Sequence, residues 1–190
     1  MKQARADWPN FTIMKAYKLK NGFAFTVREA EREDAYEILM YLKKVGAESN
    51  FLTFGAEGAG IDVKKEEDII KRYKIAPNSV MLVGTVGRKL ASVASLTSGE
   101  KSRLAHNSEI GISVLKEFWG LGVGTIMMTE LIDFAKSTGF LKVIHLSVMS
   151  ENERAIALYK KLGFEETGYH KSFSKIENKF MDAVLMDYML

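Results

Sequence analysis

The chain contains no cysteine among its 190 residues, which rules out disulfides, a thiol nucleophile and thiolate-bound metal. It also lacks any run approaching the ~20 consecutive apolar residues of a membrane span. Its first residues, MKQARADWPNF, lack the apolar core of an export signal. Dense basic stripes with interleaved aromatics, the footprint of nucleic-acid binding, are missing. The net charge is +3, and runs such as Lys64-Lys65-Glu66-Glu67-Asp68 mix both signs as a solvated surface does. His106, His145 and His170 show no metal-ligand spacing and read as structural or surface residues. There are no internal repeats and no low-complexity segments. What is there is 47% hydrophobic and 27% charged, the balance of an ordinary globule, at a length that suits one well-cored domain. The expectation is a soluble, cytoplasmic protein with no membrane and no nucleic-acid partner.

Residues 1–22 carry few periodic signals and read as an N-terminal extension that ends in the turn dipeptide Asn21-Gly22. Residues 23–28 alternate like a first strand, and Glu33-Asp34 opens a helix in which Ala35, Ile38, Leu39, Leu42 and Val45 recur at three- and four-residue spacing. The stretch 47–62 is glycine-rich and irregular, yet it holds Phe51, Leu52, Phe54 and Ile61, which must be buried against something. A substrate pocket is one candidate, and a loop fastened to the core is the other. A helix over 64–74 is followed by a break at Pro77-Asn78, then by strands 80–86 and 89–96 joined through Gly87-Arg88 as a hairpin. After a polar loop come a strand at 109–114, a helix at 125–138 stopped by Gly139, a strand at 142–149 and a helix ending at Gly163. Two further strands follow, at 164–169 and 181–188. The order predicts one α/β (α+β) domain, its mixed and mostly antiparallel sheet flanked by helices around a central strand–helix–strand unit.

Between that central strand and its helix lies Trp119-Gly120-Leu121-Gly122-Val123-Gly124. Glycines leave the backbone amides open to an anion, and the N-terminus of the helix that follows adds unpaired N–H groups and a favourable dipole. The spacing is not G-x-G-x-x-G, and Gly-Lys-Ser/Thr is missing, so neither a dinucleotide fingerprint nor a Walker loop is present. Alone, the turn is equally compatible with a simple change of chain direction.

The second helix supplies the context: Asn152-Glu153-Arg154-Ala155-Ile156-Ala157-Leu158-Tyr159-Lys160-Lys161-Leu162-Gly163-Phe164. Together the two segments resemble the GNAT superfamily of acyl-CoA-dependent N-acyltransferases. In that family a [Q/R]-x-x-G-x-[G/A] turn binds the CoA pyrophosphate and N-x-x-A-x-x-x-Y-x-x-x-G-F closes the cofactor site. Gly122 and Gly124 match the first motif; Asn152, Ala155, Tyr159, Gly163 and Phe164 match the second. Trp119 departs from the usual Gln or Arg, which removes one polar contact and leaves the amide cradle. The resemblance is specific over 108–168 and looser over 23–190.

The resemblance implies acetyl-CoA as cosubstrate and direct attack by a primary amine on its thioester, without a covalent enzyme intermediate. It places the cofactor against Ile112 and Val114, the turn Trp119, Gly120, Leu121, Gly122, Val123, Gly124 and Thr125, then Ser147, Asn152, Ala155 and Tyr159, with the strands 109–114 and 142–149 parted to admit the pantetheine. Glu109 stands where many relatives carry the glutamate that deprotonates the amine; a solvated strand-end glutamate is the alternative. Tyr159 matches the position whose hydroxyl protonates the departing thiolate, and a core tyrosine is its alternative. Asn152 contacts the pantetheine arm in relatives and is equally an N-cap. Arg154 and Lys160 are candidates for the 3′-phosphate. The acceptor, a small molecule or a protein amine, would enter against 47–62 and the C-terminal strands, where Glu48 and Asp62 offer negative charge. A regulatory module that binds acyl-CoA with little or no catalysis is the second reading, and a nucleotide-binding protein of another fold the third. A homodimer is the prior for a soluble enzyme.

Overall fold

Alternating apolar residues and well-placed caps build the elements of this chain, which a computed structural model describes from residue 14 to residue 190. In order they are β1 (Met14–Lys18), β2 (Ala24–Glu29), α1 (Ala35–Glu48), α2 (Val63–Ile75), β3 (Val80–Val86), β4 (Lys89–Ser98), β5 (Asn107–Val114), α3 (Val123–Ser137), β6 (Val143–Met149), α4 (Glu153–Lys161), β7 (Glu165–Ile176) and β8 (Lys179–Met189). All eight strands form one sheet in the order β1-β2-β3-β4-β5-β6-β8-β7. Every neighbouring pair is antiparallel except β5 and β6, which run parallel.

The helices form by familiar means. The Arg28 guanidinium grips both oxygens of Asp34 at 2.6 and 2.7 Å just before α1, whose Ala35, Ile38, Leu39 and Val45 are buried. Asp62 caps α2 by accepting from the Lys65 N–H at 2.8 Å. Opposite faces of the sheet carry separate cores, as the two-residue strand period requires. Val83 packs with Ile38 of α1 and Ile70 of α2, while Leu82, Ala94, Leu96 and Ile110 pack with Met127, Met128 and Leu131 of α3.

Three expectations need correction. Residues 14–18, read as part of an N-terminal extension, form β1, so 24–29 is the second strand. The signal was weak because β1 is an exposed edge strand with no buried face to impose alternation. It is anchored instead through Tyr17 and Lys15 to the buried Glu130 of α3. The rest of that expected extension, residues 1–13, lies outside the described residues. Helix α3 begins at Val123, two residues before the expected start, and thus contains Gly124. The first C-terminal strand reaches 176, well past the expected 169, because a bulge at 170–174 with Ser172 at φ +52° lets pairing resume, and the second ends at 189, one residue beyond expectation.

The parallel pair decides where a site forms. β5 and β6 pair only at Asn107–Val143, Ser108–Ile144 and Glu109–His145. Beyond that point β5 stays with β4 to Val114, and β6 stays with β8 to Met149. Each strand follows a different twisting neighbour, so the two diverge.

Candidate active site

The fork between β5 and β6 opens into a cavity of about 940 Å3 that reaches from the glycine turn and the start of α4 to α1, α2 and residues 49–54. Leu115 N–H bonds Ala91 O at 3.0 Å and Gly99 N–H bonds Asn107 O at 3.0 Å. In an antiparallel ladder the bonding direction alternates, so the peptide groups of Ile112 and Val114 point away from β4, into the fork. Val114 O is already engaged by the Trp119 indole Nε1, at 2.7 Å.

At one end of the cavity the glycine turn presents an anion cradle. Gly120 and Gly122 take φ of +80° and +99°, conformations that side chains disfavour. A side chain at Gly122 would meet nothing within 4 Å, so the position faces open space. Gly122 is the N-cap of α3 and supplies no side-chain cap. The first intrahelical bond is Ile126 N–H to Gly122 O at 3.0 Å, which leaves the amides of Val123, Gly124 and Thr125 without helical acceptors. Gly124 also lets α4 close in, since a Cβ there would stand 3.2 Å from Leu158. Leu121, expected among the cofactor residues of the turn, does not line the cavity; its side chain packs on the core, and its carbonyl accepts from Lys20 N–H at 3.2 Å.

The structure brings the other expected residues together. Ile112, Val114, Trp119, Gly120, Gly122, Val123, Gly124, Thr125, Ser147, Asn152, Ala155, Glu109 and Tyr159 all line the cavity. Glu109 is exposed and occupies the last paired position before the strands part. Tyr159 is 8% exposed, its ring tilted against Phe164 at 5.9 Å. Its hydroxyl has no hydrogen-bond partner among the described residues, and burial pushes its pKa up to about 12; it therefore holds its proton at neutral pH. Asn152 accepts from Ala155 N–H at 3.2 Å and so caps α4 from the cavity wall.

Two charge expectations divide. The Arg154 guanidinium stacks 5.2 Å from the centre of the Trp119 ring, beside Gly120. Trp119, in place of a Gln or Arg, thus holds a cation at the turn. Lys160 instead pairs with Glu166 at 2.7 Å and does not line the cavity. His145 bonds Asp187 at 2.7 Å. Among the described residues no cluster of three His, Asp or Glu side chains is placed to hold a metal ion.

On the far side of the fork, Phe51, Leu52 and Phe54 line the cavity, so this loop is packed both on the core and on the pocket; Ile61 is not part of the lining. A side chain at Gly46 would collide with Gly55 O at 2.0 Å, and this close approach seats the loop on α1. Glu48 and Asp62, expected to draw a cationic acceptor, are used elsewhere: Glu48 accepts from Lys116 N–H at 2.8 Å, and Asp62 caps α2. The acidic residue in this chamber is Glu66, which was not singled out from the sequence. Its signal was its register, because Glu66, Ile69, Ile70 and Tyr73 share the inner face of α2. Glu66 is only 4% exposed, and burial raises its pKa above the ordinary 4.5. A raised carboxyl pKa makes the folded state bind the proton more tightly, so the charge-dependent part of its cost vanishes at acid pH and is greatest above the folded pKa. Glu66→Gln should therefore gain melting temperature relative to the wild type by a margin that grows as pH rises past 4.5. A thermal-unfolding series in pH reads this directly, and a constant difference would contradict it.

Residues 51–164 match the family model described as the acetyltransferase (GNAT) family. The L-amino acid N-acetyltransferase AaaT of Escherichia coli is 27% identical over 61% of this chain and 72% of its own length. A bS18 ribosomal protein alanine N-acetyltransferase of Salmonella typhimurium is 32% identical over 40% of this chain and half of that protein. Among solved structures, a GNAT-family acetyltransferase from Streptococcus pneumoniae superposes with a TM-score of 0.85 at 28% identity, covering 87% of this chain and 99% of that one. The yncA protein of Salmonella typhimurium, solved with its cofactor acetyl-CoA, shares the fold with a TM-score of 0.76 at 19% identity, over 87% of this chain and 94% of that one. With a family match spanning more than half of its length, the chain belongs to the GNAT family of acetyltransferases, the enzymes that take their acyl group from acetyl-CoA.

Proposed function

We propose that this chain transfers an acetyl group from acetyl-CoA to a primary amine by direct attack, within one acetyltransferase domain over residues 14–190. The observation that carries this reading is the meeting, in one cavity, of an uncapped helix N-terminus at Gly122, a strand fork at Glu109 and a buried, protonated Tyr159. The free amides of Val123, Gly124 and Thr125 suit a pyrophosphate, with Lys20 and Arg154 adding positive charge nearby. The peptide groups of Ile112 and Ser147 line the fork and suit the amides of a pantetheine arm. When bound, acetyl-CoA supplies the electrophilic thioester.

The chain's own residues handle the protons. Glu109, exposed at the fork, accepts a proton from the incoming ammonium, directly or through a water. Tyr159 Oη holds a proton for the sulfur as it departs. No covalent enzyme intermediate is needed, in keeping with a chain free of cysteine. The relatives are named for L-amino acids and for alanine of ribosomal protein bS18, so small-molecule and protein amines are both candidate acceptors.

The test is thiol release from acetyl-CoA across an amine panel, with Glu109→Gln beside the wild type. General-base removal should lower kcat/KM by roughly 10²-fold or more near neutral pH, with acetyl-CoA affinity held within threefold. Acetyl-CoA binding with turnover indifferent to Glu109→Gln would favour a binding module over this mechanism.

A further inference from the structure

Glu66 is a carboxylate in a place that α2 would ordinarily give to an apolar side chain. It lies on the helix face shared by Ile69, Ile70 and Tyr73, is 4% exposed, and lines the cavity on the α1–α2 side of the fork. Among the described residues its side chain has neither a hydrogen-bond donor nor a cation, whereas other acids of the chain, such as Asp34, Glu48 and Glu117, are engaged. Leaving a buried acid unpaired is costly, and leucine in its place would pack without that penalty. Such a residue is kept where a ligand supplies the missing partner, at some cost in stability.

The charges along the cavity say what that ligand carries. Its charged lining residues are Lys20, Glu66, Glu109, Glu151, Glu153 and Arg154. Both cations sit at the glycine turn, Lys20 through its backbone bond to Leu121 and Arg154 over Trp119. Glu151 is neutralised by Lys179 at 2.7 Å, and Glu153 belongs to the first turn of α4. Among the described residues the acceptor chamber is left with Glu66 and Glu109, and no positive side chain lines it. We propose that Glu66 is a specificity-determining residue that receives a second cationic group of the acceptor, so that the chain acetylates amines bearing another positive charge and disfavours free amino acids. Two carboxylates facing one chamber repel an α-carboxylate and attract a molecule with two separated ammonium groups, one presented to Glu109 and the other to Glu66. This assignment rests on the acetyl-transfer reading above and narrows its acceptor class.

The experiment compares 1,4-diaminobutane with butylamine, which has the same four-carbon chain and one charge fewer, and with L-alanine, using acetyl-CoA-saturated full chain and thiol release. Wild type should prefer the diamine over butylamine by at least about tenfold in kcat/KM, as expected for a charge-assisted bond, and should use alanine least. Glu66→Gln should bring the diamine to within threefold of butylamine, the loss falling in KM and not in kcat. A preference unchanged in Glu66→Gln, or a wild type that favours alanine, overturns the proposal. Calorimetric titration of diaminobutane into the CoA-bound protein separates the two layers. Binding at least tenfold weaker in Glu66→Gln, with no thiol released by any amine, supports the site and sinks the transfer reading. Equal or undetectable binding in both proteins sinks the site. Glu66→Leu serves as the folding control: it should melt no lower than wild type, and a lower melting temperature would mean that Glu66 has a protein partner after all, contradicting the assignment.

Discussion

Gly122→Asp is expected to weaken acetyl-CoA binding by more than about a hundredfold. The position faces open space in front of three free amides, where a phosphate fits and an aspartate would place a charge of the same sign. Two like charges about 5 Å apart repel by roughly 3 kcal/mol at an effective dielectric of about 20, which alone exceeds a hundredfold in affinity. The backbone adds strain, because φ of +99° at Gly122 is a conformation that L-residues avoid at a cost of roughly 1–2 kcal/mol. Gly122→Ala separates the two effects, sharing the strain without the charge. The measurement is thermal unfolding with and without acetyl-CoA. Saturating ligand at a hundred times its dissociation constant stabilises by about 2.7 kcal/mol, a rise of roughly 5–11 °C for a chain of this size. Wild type should show that rise, Gly122→Ala a reduced one from a lower starting point, and Gly122→Asp none. An undiminished rise in Gly122→Asp would move the phosphate site away from the glycine turn.

Tyr159→Phe is expected to lower kcat by roughly 10²- to 10⁴-fold, the range of general-acid contributions, while changing the acetyl-CoA dissociation constant less than threefold. The substitution is clean because the ring's packing against Phe164 is kept and the hydroxyl has no partner to orphan among the described residues. Stability should hold or rise slightly, since a buried hydroxyl is removed without stranding another group. The pKa of about 12 sets the pH signature. Tyr159 keeps its proton throughout the working range, so it contributes no alkaline fall in kcat below about pH 11. A wild-type rate that declines with an apparent pKa near 9 owes that decline to another group. If Tyr159→Phe turns over at the wild-type rate, the departing thiolate takes its proton elsewhere, and the tyrosine is a core residue.

Much of this site is legible in sequence because its parts are local. The uncapped glycine turn, the Asn152 cap and the placement of Tyr159 two turns into α4 depend on hydrogen bonds and spacings within a dozen residues. Gly139 and Gly163 end their helices in left-handed conformation for the same local reason. The hairpin at Gly87 and the mostly antiparallel sheet follow from alternation and turn chemistry. The failures were equally physical. β1 escaped notice because an exposed edge strand has no buried face to pattern its sequence. Glu48 and Asp62 looked available as acids because composition does not reveal that backbone N–H groups claim both. Glu66 sat in a run of mixed charges that reads as solvated surface, and only its register on α2 turns it inward.

What the sequence determined alone is the family motif, the order of elements and the local shape of the glycine turn, since short-range spacing and backbone capping specify them. The tertiary structure decided the rest. The fork exists because β5 and β6 pair for three residues and then follow different partners. A cation stands beside the glycine turn because α4 lays Arg154 across the Trp119 ring. One cavity holds both Glu66 and Glu109 because α2 and the fork face each other across it, while Lys20 and Arg154 lie beside the glycine turn. These features join residues dozens of positions apart, and burial together with charge separation emerges only when the sheet and its two helical layers close around them.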